Sequence, residues 1–319
     1  MVVSFIRSCR SLVVTLGSVA ALGLQPATAV AQPSAGASGA SAAESAGLDT
    51  SNLPDVTAFL NEIKGKLRSD ERLQLQYTFR ETVTEREHDR GGRLTKTTTK
   101  VYEVFPAEDI GYRRLVLENG RPVDASVLAR EDEKQRKKVE EYVASRQHET
   151  PEARAKRLAA AAREEQKQQR DVDELFRVMQ ARILGRDRQG ARPRLVVAVE
   201  PRPNVKPSTT AGKVFRSLQG RAWFDESTRE LIRADLQFID NVSFGLGLLA
   251  RIYKGSNATF ERRMVDADAW LPVRYSFVAN GRLMLFKGIR LDTDVEFSDY
   301  RRATALTSEA FQLPKKPSS

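Results

Sequence analysis

Alternation of apolar and polar residues constrains the fold of this chain more than any other feature. In residues 232–238 every second side chain is apolar and those between are charged or amide side chains. Residues 73–80 also alternate between apolar and polar side chains, and in residues 271–279 every second side chain is again apolar. Successive side chains of a strand point to opposite faces, so each segment is expected to bury one face. Short connections between such segments favour antiparallel neighbours. The pattern therefore predicts an antiparallel β-sheet.

Turn signals divide the remaining strands. A long threonine-rich hairpin is predicted to turn at residues 89–92, and a third strand, 110–117, ends before Asn119-Gly120. After residue 190 the strand pattern resumes at 195–199 and continues from residue 222 as a meander. Asn280-Gly281 is typical of a type I′ turn. It predicts a hairpin whose second strand begins with Leu283.

Two segments carry helical spacing instead. Leu53 begins the first, with Pro54 in its first turn and apolar residues spaced three and four apart up to Leu67. Residues 125–185 form the second, which is rich in both charge signs and is expected to break before Pro151. Its apolar stripe comprises Val172, Leu175, Phe176, Met179 and Ile183. Core packing is the preferred reading of that stripe over a partner-binding surface.

The N-terminus predicts export. Arg7 and Arg10 precede an apolar run, and residues 29–31 provide the A-x-A pattern of a signal-peptide cleavage site. A membrane anchor is the alternative, but it needs about 20 apolar residues and this run is shorter. We therefore expect residues 1–31 to be a cleaved signal peptide, with cleavage near Ala31. The mature protein is expected in the periplasm or at the outer membrane.

The remaining chain divides by composition. Residues 32–52 are almost wholly Ala, Ser and Gly and are expected to form a disordered linker. One domain is expected over residues 53–310, followed by a flexible tail over residues 311–319. The formal net charge of +10 becomes +8 once Arg7 and Arg10 are removed. In an exported protein this charge favours an anionic membrane surface as partner and not nucleic acid.

Catalytic and metal-binding patterns are missing from the sequence. Cys9, the only cysteine, lies in the signal peptide, and His88 and His148 are the only histidines. Both histidines are expected at the surface. Thiolate metal sites and Cys/His catalysis are therefore not expected, and no nucleophile elbow or phosphate-binding loop occurs. The sequence predicts a protein without enzymatic activity, cofactor or metal.

Short sequence segments in the predicted meander resemble those of a known protein family. Residues 220–225, 228–232 and 269–272, which read GRAWFD, TRELI and AWLP, are similar to the repeating phrase of the LolA/LolB-like superfamily of exported bacterial proteins. The resemblance covers about residues 73–105 and 220–300. It implies an α+β fold in which a curved antiparallel sheet forms an unclosed barrel with covering helices. It also implies a concave apolar face that holds acyl chains. The charged helical insertion at about 125–185 departs from the family.

Two functions follow as expectations. The first is binding of a lipid or an acylated protein on the concave face. Its candidate lining residues are Ile232, Leu236, Phe238, Tyr275, Phe277 and Leu285. An ordinary core packed under helices is the alternative reading of those six residues. The second function is an interaction or sensor module that binds a membrane-protein partner through the helical insertion. The sequence leaves the oligomeric state open.

Overall fold

The computed structural model describes residues 47–67, 70–89, 91–107, 110–190, 192–244, 250–267, 269–283 and 287–303. The predicted signal peptide, residues 32–46 of the predicted linker, the tail 311–319 and Leu285 lie outside these ranges. The last part of the predicted linker is described. Asp49 there forms an antiparallel bridge with Arg186, with backbone hydrogen bonds of 2.9 and 2.7 Å. The end of that segment therefore joins the folded part of the chain.

Antiparallel strands dominate the architecture. The described residues form a 13-stranded unclosed sheet with a few helices, which confirms the predicted α+β class and antiparallel sheet. The strands are β1 Tyr77–His88, β2 Leu94–Ala107, β3 Ile110–Glu118, β4 Arg121–Pro122, β5 Met179–Asp187, β6 Arg194–Pro201, β7 Leu218–Asp225, β8 Leu231–Phe238, β9 Val242–Phe244, β10 Ala250–Ile252, β11 Asn257–Asp266, β12 Ala269–Leu283 and β13 Lys287–Arg302. Their order is β4-β3-β2-β1-β13-β12-β11-β8-β7-β6-β5, with β9 paired to β10 and β10 to β12.

Five helices are described. They are α1 Val56–Lys64, α2 Glu71–Gln74, α3 Ala125–Gln147, α4 Pro151–Val178 and α5 Thr210–Phe215. The predicted start of α1 at Leu53 is wrong, because Asp55 caps the helix by accepting a 2.8 Å hydrogen bond from the Ala58 amide. The predicted break at Pro151 is confirmed. Thr150 caps α4 there, and proline occupies its first turn.

The helical stretch ends earlier than its periodicity predicted. Helix α4 stops at Val178, and Met179 and Ile183 lie in strand β5. Met179, Ala181 and Ile183 also satisfy the two-residue period of a strand, so the sequence pattern was compatible with both structures. Pairing of β5 with β6 along its length selects the strand. The prediction of helix up to residue 185 is therefore wrong at its C-terminal end.

The two Asn-Gly pairs behave differently. Asn119 and Gly120 have φ angles of 50° and 77°, so the predicted turn after β3 is confirmed. Gly281 instead lies inside β12 and pairs with Ile289 of β13, so the predicted hairpin at 280–281 is wrong. A Cβ atom on Gly281 would lie 2.3 Å from the Arg251 carbonyl oxygen. Glycine at this position allows the backbone of β10 to approach β12 closely.

Two apolar clusters lie side by side on one face of the sheet. The first joins Phe59 and Ile63 of α1 to β6, β7, β8 and β11, and the Phe59 and Phe224 rings meet edge to face at 5.3 Å. The second includes Val214 of α5 and Phe277 of β12. Leu236 packs against both clusters. This face of the sheet is therefore apolar from β6 to β12.

Candidate functional site

An apolar cavity of about 120 Å³ lies between the sheet and helices α1, α4 and α5, partly open to solvent. Helix α1 and the residues just after it contribute Leu60, Ile63 and Leu67, and the C-terminal turn of α4 contributes Leu175 and Phe176. Strands β5 to β8 form the opposite wall. Among the described residues that line the cavity, Gln180 and Arg202 alone are polar. Such a space suits an apolar ligand.

Small side chains create the space. Ala222 of β7 and Ala234 of β8 are directly paired, and both line the cavity. On one side of them lies the larger pair Phe224 and Leu231, and on the other side Gly220 pairs with Leu236. Directly opposite side chains on one sheet face normally fill the space between them. Two alanines at one register position leave that space empty.

Leu236 is the one predicted lining residue that the structure places on the cavity wall. Ile232 is not among the residues lining the cavity, and Leu231 lines it instead. A register shift in the β7–β8 pairing explains the difference. Trp223 pairs with Arg233 and Phe224 with Leu231, so Ile232 is an additional residue in β8. The sequence pattern assumed an unbroken alternation.

Three other predicted residues lie outside the cavity. Phe238 and Phe277 are 1% and 8% exposed, and their rings, 6.4 Å apart, belong to the second cluster. For these two residues the ordinary-core reading fits the structure. Tyr275 packs against the first cluster. Leu285 is not described.

An aromatic row continues the apolar face beyond the first cluster. The Tyr275 ring lies 5.0 Å from that of Phe260 and 5.3 Å from that of Phe297. Phe79 follows at 5.8 Å from Phe297 and 5.1 Å from Tyr300. Apart from Phe260 these rings are only half-buried. The aromatic row thus gives β11, β12, β13 and β1 a partly exposed apolar surface.

A buried carboxylate holds the cavity wall together. Glu174 of α4 accepts hydrogen bonds from Arg177 at 2.8 Å and from the Ser208 hydroxyl at 2.8 Å, and its side chain is 4% exposed. The backbone amides of Ser208 and Thr209 donate to the same carboxylate. These hydrogen bonds, that of Arg177 first, lower the pKa of Glu174 from 4.5 to about 2 despite its burial. Glu174 therefore fixes the loop before α5 to the end of α4.

Polar groups stand at two positions beside the cavity. Arg202 follows β6, and its Nε donates a 2.9 Å hydrogen bond to the Met179 carbonyl. Lys64 lies 5.8 Å from the centre of the Phe176 ring and forms a 2.7 Å ion pair with Asp173. The sequence pattern marked Phe176 as part of an apolar stripe. Arg202 was missed, because a single arginine between two prolines carries no signal in the sequence.

The histidines differ in position. His148 is exposed after α3, as predicted. The prediction for His88 is wrong, because its side chain is only 9% exposed and its Nε2 lies 3.5 Å from Asp292. Strand β13 brings Asp292 to this position, and no local sequence signal could show that.

No group of three or more His, Cys, Asp or Glu side chains that could hold a metal ion occurs within the described ranges. Helices of the described part of the chain are too short or too polar to cross a membrane.

No protein-family model matches the chain, and no curated protein matches it significantly. The resemblance to LolA/LolB-like proteins therefore stays a prediction.

Proposed function

We propose that this protein binds an acyl-chain type of ligand in the cavity between α1, α4 and the sheet. The proposal includes the expectations that the protein is exported, that it is not an enzyme and that its sheet is a LolA/LolB-like concave surface. The observation that carries it is the cavity itself, which is partly open and almost entirely apolar. Protein interiors contain few voids larger than a water molecule, and an apolar pocket with a few polar groups is the usual form of a small-molecule site.

The volume limits the ligand. A cavity of about 150 Å³ accepts a molecule the size of benzene, so 120 Å³ accommodates a few methylene groups. Burial stabilises binding by about 0.8 kcal/mol per methylene, and four methylenes contribute about 3 kcal/mol. That corresponds to a dissociation constant weaker than about 1 mM. The end of one chain fits the cavity, and useful affinity needs further contacts.

The aromatic row offers one such contact surface. Its rings lie on the same sheet face as the cavity wall, and most are half-buried. The part of an acyl chain that leaves the cavity could cover them and bury further apolar area, at about 25 cal/mol per Å². The basic mature chain would in addition favour an anionic membrane surface, from which such a ligand could be taken.

Filling the cavity tests the proposal. Ala181 is half-buried and lines the cavity, so Ala181→Trp is expected to weaken binding of cis-parinaric acid, a fluorescent fatty acid with an unlabelled methyl end, at least about tenfold by steric exclusion. The fluorescence of its polyene chain measures binding. Ala198→Trp is the matched control, because Ala198 is also half-buried but lies on the opposite sheet face, paired with Arg182.

The urea midpoints of both variants show whether the fold survives. Equal binding by wild type, Ala181→Trp and Ala198→Trp, with all three folded, would show that the cavity is not the binding site. If the fluorescent fatty acid did not bind to the wild-type protein, the proposed function would be refuted.

Helix α4 supports a second candidate function, the binding of a protein partner. Residues 151–163 are exposed except for a half-buried Arg157, and Leu158 is 52% exposed. An exposed apolar side chain on a helix with few packing contacts is a reasonable anchor for a partner. A partner bound in this way should be lost with Leu158→Asp. It should be retained with Leu94→Asp, which alters a leucine that is 51% exposed on β2. Retention of every partner by Leu158→Asp contradicts this function.

A further inference from the structure

We infer that the ligand is a single-chain amphiphile with an anionic head, and that Arg202 binds that head at the entrance of the cavity. This inference rests on the proposed function, because it concerns the same cavity. It identifies the class of ligand and names the residue that selects it.

Arg202 is fixed at the cavity by the backbone of the neighbouring chain segment. Its amide donates a 2.8 Å hydrogen bond to the Val178 carbonyl, and its Nε donates at 2.9 Å to the Met179 carbonyl. Neither terminal Nη atom has a partner among the residues that the structure describes. The guanidinium is therefore held by one edge while its terminal nitrogens are available to a ligand. An exposed arginine without such an anchor would lose more conformational entropy on binding.

Two cations near the cavity are already paired with acidic side chains. Lys64 pairs with Asp173 at 2.7 Å, and Arg177 pairs with Glu174 at 2.8 Å. Glu200, two residues before Arg202, accepts a 2.8 Å hydrogen bond from Gln180. No ion pair joins Glu200 to Arg202 in the described part of the chain. Arg202 thus provides an uncompensated positive charge on the cavity lining.

The charge and the cavity together define the ligand. A guanidinium presents parallel N–H donors that match a carboxylate or a phosphate, and a neutral head would use few of them. The cavity volume of about 120 Å³ admits the end of one chain and not two. A fatty acid and an alkyl phosphate share this chemistry, and both are covered by the inference.

The experiment compares three twelve-carbon ligands that differ only in the head group. Dodecanoate, dodecyl phosphate and dodecanol are titrated below their aggregation limits, each as a competitor of cis-parinaric acid at low ionic strength. Arg202→Gln is expected to weaken the binding of both anions about tenfold and the binding of dodecanol less than about twofold. Arg202→Lys should recover part of the loss, because it restores the charge without the planar donor set.

Arg182→Gln is the control. Arg182 is exposed on β5, and because it follows Ala181 it projects from the sheet face opposite the cavity. Its replacement by glutamine removes the same charge as Arg202→Gln does. A general effect of net charge would weaken binding of the anions equally in the Arg182→Gln and Arg202→Gln variants, and that result would overturn the inference. If acetate or inorganic phosphate bound as tightly as the twelve-carbon anions, the inference would be overturned as well, because the alkyl chain would then contribute nothing to binding.

The remaining outcomes separate the two proposals. If no ligand, dodecanol included, binds the wild type, the proposed function fails. If all three ligands bind and Arg202→Gln binds the anions as tightly as wild type does, the proposed function stands and the role of Arg202 is rejected.

Discussion

Replacing Arg262 with methionine is expected to lower the free energy of unfolding by about 4 kcal/mol. Arg262 lies in β11 with a side chain that is only 7% exposed. Its guanidinium donates to Asp70 at 2.8 Å, to Glu230 at 2.9 Å and to the Trp270 carbonyl at 2.8 Å. Removing one partner of a buried ion pair costs more than the pair itself contributes, because the remaining charge stays in a poorly solvated site.

The measurement is urea denaturation followed by tryptophan fluorescence and circular dichroism. Arg263→Met is the matched control, because Arg263 is the next residue and is exposed, and its effect should stay within about 0.5 kcal/mol. Adding Asp70→Asn to Arg262→Met should recover part of the loss by removing the buried charge. A loss below about 1 kcal/mol in Arg262→Met would show that the network contributes little to stability.

The Arg262 network shows what local sequence patterns can and cannot predict. Alternation predicted β8 and β12 as strands of one antiparallel sheet, because a two-residue period shows which side chains share a face. The region of β11 between them was less regular. The alternation could not show that Asp70, 192 positions away in the chain, forms an ion pair with Arg262. Charge partners between distant segments depend on the topology of the whole sheet. The same limit applies to His88, whose partner Asp292 comes from β13.

The candidate site was predictable in part for a similar reason. The pattern identified the apolar face of β8 and thereby Leu236, because that face is a property of the strand alone. A bulge changed the neighbour on that strand, so Leu231 and not Ile232 lines the cavity. Bulges depend on the partner strand, which the sequence of β8 does not contain. Arg202 depends on how the loop after β6 folds back onto Met179.

Glu174→Gln is expected to lower the free energy of unfolding by about 3 kcal/mol at neutral pH, which is the equivalent of a pKa shift from 4.5 to about 2. The carboxylate receives donors from Arg177, Ser208 and Thr209. A glutamine presents one oxygen to these donors, and its amide group brings a second set of donors to the same place. Asp173→Asn is the control, since the Asp173 side chain is 50% exposed. Its effect should not exceed about 1 kcal/mol.

The pH dependence of stability gives a second readout. Because the pKa of Glu174 is lower in the folded chain, the unfolded chain binds the proton more readily. The stabilisation by Glu174 is complete above about pH 5 and is lost as the pH falls towards 2. Wild-type stability should therefore decrease more steeply than that of Glu174→Gln between about pH 5 and pH 3. Parallel curves for the two proteins would contradict the assignment.

Loss of Glu174 should also affect the cavity. Glu174 connects α4 to the loop before α5. Helix α4 contributes Leu175 and Phe176 to the cavity wall, and α5 contributes Phe215. When that connection is lost, both elements gain freedom and the ligand must order them again on binding. Cis-parinaric acid should consequently bind more weakly to Glu174→Gln than to Asp173→Asn at a pH where both are folded. Unchanged affinity would show that the cavity wall is held by apolar packing alone, and that the buried carboxylate serves stability without serving the site.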